Sequence, residues 1–261
     1  MPPITPVPPD SPALRRRHIC YRRLLVLCVL LMASFALPNG WNRLGSIGYN
    51  LLPLVMIRGL GQPLGQVPFA GWPRRLYIAL GLAALVSGLL WYLTPLALIS
   101  TGITLLVLWT AFVGWSTLRL VRGLAFERVV NGRVLMGALA GYLLMGLTAG
   151  LLFSALETIT SGSFGSVHGM PSTSLLSDHL SADRTELVWQ LDFMRLNYFA
   201  FVCLTTVGFG DIYPVTPPAQ IASVTVSVAG TIYLAVVMGL LISRYTVQGV
   251  EQEVEEADRA P

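Results

Sequence analysis

The chain has 261 residues, 54% of them apolar and only 11% charged, with a formal net charge of +4. A soluble domain carries about 25% charged residues, so this composition excludes a protein covered by polar surface. Every basic residue is arginine, and none lies on a soluble domain, so there is no basic stripe for nucleic acid.

Residues 1–23 read as a disordered cytoplasmic tail, with Pro2, Pro3, Pro6, Pro8, Pro9 and Pro12 followed by Arg15, Arg16, Arg17, Arg22 and Arg23. Apolar runs then occupy about 24–41, 44–60, 76–93, 96–118, 134–156 and 218–243. Crossing a bilayer takes roughly 20 apolar residues, and the runs lack the alternation of a membrane barrel. The expected fold class is therefore an all-α membrane protein with six transmembrane helices. The first two runs are short; the second contains Asn50, Pro53 and Arg58. Ala33-Ser34-Phe35-Ala36 resembles a signal-peptidase site, but the basic region before it is long for a signal, so retention of the segment is expected.

Charge sets the topology. With both termini in the cytoplasm, the inner side holds the arginines of the amino-terminal tail together with Arg58, Arg74, Arg75, Arg119, Arg122, Arg128, Arg133, Arg244 and Arg259. The outer side holds only Arg43, Arg184 and Arg195. This positive-inside bias requires residues 24–60 to cross twice or not at all, and two crossings are expected. The expected organisation is a four-helix membrane region at 24–118, a cytoplasmic linker at 119–133, a domain at 134–244 and an acidic tail at 245–261, solvated by default, with continuation of the inner helix as the other reading. The absence of lysine and the short loops suggest a bacterial plasma (inner) membrane.

Within 134–244 the expected parts are an outer helix at 134–156, a mobile extracellular loop at 157–192, a half-helix at 193–205, a special segment at 206–210 and an inner helix at 218–243. Residues 193–214 read FMRLNYFAFVCLTTVGFGDIYP. This stretch resembles the pore loop of the potassium channel superfamily: half-helix, selectivity filter TVGFG, then aspartate. The resemblance implies that the backbone carbonyls of Thr206, Val207, Gly208 and Phe209 coordinate K+, with Gly210 closing the filter. Thr205 and Asp211 would support the filter and its outer mouth. Chemically, carbonyl rings replace the water that a potassium ion sheds. Pointing successive carbonyls to one axis needs backbone angles that Gly208 and Gly210 adopt cheaply. Val207 and Phe209 are expected to turn their side chains into packing behind the filter. The half-helix would aim the negative end of its dipole at a cation in mid-membrane.

The sequence departs from the family pattern in two places. Phe209 stands where many members have tyrosine, and Val202 stands where many have a glutamate behind the filter, so Asp211 lacks that partner. Gly230 matches the family's gating-hinge glycine in its spacing from Thr206; helix packing through a small residue is the other reading of that glycine. A single filter per chain implies a homotetramer in the lipid bilayer, with K+ as permeant ion and no cofactor.

Voltage sensing needs several arginines at three-residue spacing inside the field. Residues 96–118 contain none, and Arg119 and Arg122 lie at the cytoplasmic end. They are weak voltage-sensor candidates and serve better as positive-inside anchors. The expectation is a potassium-selective channel with weak or no voltage dependence; a less selective monovalent cation channel is the alternative. An enzyme or receptor is disfavoured, because there is no HExxH, GxSxG or Walker motif. Cys20, Cys28 and Cys203 lack metal-ligand spacing. His18, His168 and His179 have no catalytic partner at recognisable spacing.

Overall fold

The computed structural model describes residues 12–35, 43–60, 74–93, 99–125, 130–167 and 185–259. In chain order these form α1 (Pro12–Ser34), α2 (Arg43–Leu60), α3 (Arg74–Leu93), α4 (Ile99–Ala125), α5 (Gly132–Ile159), β1 (Phe164–Ser166), α6 (Thr185–Leu204), β2 (Ile212–Pro214) and α7 (Pro217–Ile232). A π-helical segment at Tyr233–Met238 then leads without a break into α8 (Gly239–Arg259). The chain is a mainly helical membrane protein. Three helical stretches among the described residues are long and apolar enough to cross a bilayer: Thr104–Ala125, Gly132–Ile159 and Pro217–Val250.

Local chemistry explains where several elements start. Asn131 caps α5, its side chain accepting from the amides of Arg133 and Val134 at 3.1 Å each. Pro217 and Pro218 open α7, where a missing amide hydrogen costs nothing. In α1, Tyr21, Leu24, Cys28 and Leu31 are buried, the three- and four-residue spacing of one helix face.

The inner layer is organised around α5, which packs against α1, α4, α6 and α7. Its glycines are the reason it can serve so many neighbours. A Cβ at Gly137 would overlap Tyr21 of α1, and one at Gly141 would overlap the Tyr233 hydroxyl. Further along, Gly146 receives Phe201 and Gly150 receives Asn197, both from α6. Small residues four apart let membrane helices approach closely, and Gly146 and Gly150 form such a pair. Polar links reinforce the bundle. Trp109 Nε1 donates to the Ala84 carbonyl at 2.7 Å, and the Tyr77 and Ser116 hydroxyls share a hydrogen bond of 2.9 Å.

Several expectations need correcting. Residues 12–23 are helical rather than disordered, because Ala, Leu and Arg are good helix formers and a proline is tolerated at the first helical position. Helix α4 runs to Ala125, so Arg119 and Arg122 lie inside a helix and not in a linker starting at 119. Helix α6 starts at Thr185 rather than 193. The acidic tail continues the inner helix through Arg259, since Glu, Gln, Val and Ala break no helix and no proline or glycine falls between 250 and 259. The start of the expected mobile loop is ordered as β1, paired antiparallel with β2 in the register Phe164–Pro214, Gly165–Tyr213 and Ser166–Ile212. Residues 1–11 of the proline tail, and His168, His179 and Arg184, lie outside the described residues.

Candidate functional site

The segment between α6 and β2 is held at both ends and free in the middle. At its start, the last turn of α6 has carbonyls with no intrahelical partner. The following amides satisfy them: Thr205 N donates to the Phe201 carbonyl at 2.9 Å, Thr206 N to Cys203 at 3.0 Å and Val207 N to Val202 at 3.1 Å. The Thr205 hydroxyl adds a bond of 2.7 Å to the Phe201 carbonyl. Thr205 therefore ties the segment to α6.

These bonds dictate where the next carbonyls point. In a trans peptide the N–H of one residue is antiparallel to the C=O of the residue before it, and no peptide bond among the described residues is cis. With the amides of Thr206 and Val207 turned toward α6, the carbonyls of Thr205 and Thr206 are turned away from it. An ordinary strand would alternate them. Here φ is positive at every second residue: +59° at Thr206, +61° at Gly208 and +77° at Gly210. A Cβ at Gly208 or Gly210 would meet nothing among the described residues, so backbone conformation is what demands glycine there. Thr206 takes the same conformation with a branched side chain, at a cost of about 1–2 kcal/mol. No sequence signal marks this third left-handed residue.

The far end is pinned to the outer end of α5. The Val167 amide donates to the Asp211 carbonyl at 2.9 Å, and Val215 N donates to the Ser163 carbonyl at 2.8 Å. The turn before β1 is built on Glu157, which is buried. Its carboxylate accepts from Gly162 N at 2.8 Å and Phe164 N at 3.0 Å. Glu157 was missed in the sequence; the available signal was a lone carboxylate at the end of an apolar helix. Replacing it with alanine would orphan two amides, and hydrogen bonds to a charged group contribute about 1.5–3 kcal/mol each. Glu157→Ala is expected to lower the melting temperature of the purified protein by several degrees. A melting curve matching the wild type would remove Glu157 from this role.

The environment of Asp211 also differs from expectation. Val202 is buried and offers it nothing, but Tyr198, one turn earlier on α6, interacts electrostatically with the Asp211 carboxylate. The Tyr198 ring is stacked parallel to that of Phe209, with centroids 6.4 Å apart and planes 4° apart. A tyrosine four residues before Val202, on the same helix face, was the legible clue. Asp211 Oδ1 has no hydrogen-bond partner among the described residues. Within one chain Val207 and Phe209 stay 54% and 69% exposed.

The remaining predicted residues lie elsewhere. Gly230 is buried against the backbone carbonyl of Leu204, with no room for a Cβ. The packing alternative for this glycine thus has a concrete contact, and the helix remains regular through Ile232. The departure from α geometry falls at Tyr233–Met238, where the Tyr233 hydroxyl donates to the Ala138 carbonyl at 2.6 Å. The Arg119 guanidinium lies 4.6 Å from the centroid of the Tyr77 ring, and Arg122 is exposed in the last turn of α4.

Residues 172–247, less than half of the chain, match the family model described as Ion channel. That match covers α6, the segment at 205–211, β2, α7, the whole π-helical segment and the start of α8 up to residue 247. The match supports an ion channel rather than an enzyme. No curated protein matches the chain, and no solved structure does.

Proposed function

We propose that the chain is a subunit of a potassium-selective channel, conducting K+ passively through a pore built by four copies. The observation that carries this reading is the alternating left-handed backbone at Thr206, Gly208 and Gly210, anchored to α6 at one end and to β1 at the other. That backbone suits a row of carbonyls from Thr206, Val207, Gly208 and Phe209 facing one axis, the arrangement that replaces a potassium ion's hydration shell. Asp211 adds negative charge where ions would enter.

Assembly around an axis is supported by surface left open in one chain. The stretch Pro217–Val250 is apolar, yet only 22% of it is buried, against 61% for Gly132–Ile159. Ile221, Val224, Val228 and Ile232 are all exposed along α7. Val207 and Phe209 would be covered by the same association. One filter strand per chain closes a ring only with several copies, and four-fold cyclic symmetry gives each site its carbonyl cage. Liposomes containing the purified protein test the reading. Potassium-loaded vesicles should release the ion down its gradient, and sodium-loaded vesicles should not; equal release of both would refute it.

Gating by voltage finds no support in α4. Residues 99–118 carry no charge, and Arg119 is held on the Tyr77 ring, a contact contributing about 0.5–2 kcal/mol. Moving one charge through the whole field is worth about 2.3 kcal/mol per 100 mV, roughly a 50-fold change in open probability. The expected change is smaller than that. A steeper conductance–voltage curve in bilayer recordings would contradict it.

A further inference from the structure

The amino-terminal helices lack the charges of a sensor, yet α2 reaches α6 through a buried polar bond. Asn197 of α6 is fully buried, as is Tyr49 of α2. The Tyr49 hydroxyl donates to Asn197 Oδ1 at 3.1 Å, and Asn197 Nδ2 donates to the Phe193 carbonyl of its own helix at 2.9 Å. A buried amide on an apolar helix is costly unless its hydrogen bonds are made, and a leucine would serve packing alone. The acceptor oxygen of Asn197 therefore depends on a residue of another helix.

Aromatic rings concentrate the same contact. Phe193 meets the Tyr49 ring edge-on at 5.0 Å and the Phe35 ring edge-on at 6.4 Å. Tyr49 also lies against Trp109 of α4 at 5.7 Å, and Trp109 is bonded to Ala84 of α3. On its other side Asn197 is closed in by Gly150 of α5, where a Cβ would overlap it. One turn of α6 thus meets Tyr49 of α2, Phe35 just after α1 and Gly150 of α5, with Trp109 of α4 and Ala84 of α3 behind Tyr49. The opposite end of that rigid helix carries the carbonyls that hold Thr205, Thr206 and Val207. From Asn197 to Thr205 the distance along the helix is about 12 Å at 1.5 Å per residue.

We propose that Tyr49 and Asn197 are positioning residues for the ion path: the amino-terminal bundle sets the placement of α6, and through it the geometry of the carbonyls beginning at Thr206. The bundle then regulates the filter directly rather than by pulling on the inner helix. This inference rests on the assignment of residues 206–210 as a potassium filter.

The test is the potassium concentration that half-maximally protects the full-length, assembled protein against thermal unfolding, a readout of filter affinity separate from overall stability. Tyr49→Phe is compared with Tyr77→Phe, which loses a buried hydroxyl bonded to Ser116 but does not touch α6. Tyr49→Phe should raise the half-maximal concentration at least about fivefold, ~1 kcal/mol, the scale of one buried hydrogen bond. Tyr77→Phe should leave it unchanged. The pair Tyr49→Phe with Asn197→Leu leaves no buried acceptor orphaned, so it should fold and still show the shift. A half-maximal concentration equal to wild type in both Tyr49 variants, or a shift shared equally by Tyr77→Phe, overturns the proposal while the filter assignment stands. Equal protection of the wild type by sodium and potassium overturns the filter assignment, and this proposal with it.

Discussion

Gly208→Ala is expected to abolish potassium-selective conduction while leaving the helical bundle folded. The Cβ would touch nothing among the described residues, so no core packing is lost. What it opposes is the backbone: φ of +61° at this residue costs an alanine about 1–2 kcal/mol per chain, which the proposed four-copy pore would multiply to about 4–8 kcal/mol. The segment already bears the same conformation at Thr206. A chain so loaded relaxes by turning a peptide over, which takes a carbonyl out of the row. Potassium flux from liposomes should fall more than about 100-fold, corresponding to ~3 kcal/mol, with circular dichroism unchanged. Selective flux at the wild-type level would remove residues 206–210 from the ion path.

Gly230→Ala is expected to be the most damaging change outside that segment, and its contrast with Gly239→Ala separates packing from flexibility. At Gly230 a Cβ would collide with the Leu204 carbonyl, the last residue of α6. Neither backbone can yield without moving the other, and overpacking of this kind costs about 1–3 kcal/mol per chain or more. The strain falls on the residues that anchor Thr205 and Thr206, so conduction should be lost together with thermal stability. At Gly239 a Cβ meets nothing among the described residues, and alanine gains about 1 kcal/mol of helix propensity. A conducting, stable Gly230→Ala protein would show that the contact with Leu204 is dispensable.

Much of the fold was legible because membrane helices announce themselves. The apolar runs at 96–118, 134–156 and 218–243 correspond to α4, α5 and the α7–α8 stretch, with ends displaced by a few residues or, at the last, by much more. The end of α8 was misjudged because its charged residues read as a solvated tail, while nothing in their identities stops a helix. The left-handed glycines were legible too, since Gly208 and Gly210 stand where the backbone needs them. Thr206 was not: a threonine in that conformation is imposed by the amide bonds to α6, which are contacts between neighbours in space. Glu157, Tyr198 and Asn197 stayed hidden for a related reason. Each is a single polar residue whose partner comes from a different element, or from the far side of a turn, and no spacing rule links the two. The glycines of α5 were visible as letters, but which helix each one receives depends on tertiary packing.

The account turns on ion selectivity at residues 206–210. The direct measurement is the reversal potential across a planar bilayer containing the purified protein, with potassium on one side and sodium on the other. The potential should lie close to potassium's own equilibrium value and follow it as the potassium concentration is varied. A reversal potential near zero, tracking sodium as closely as potassium, would contradict the account.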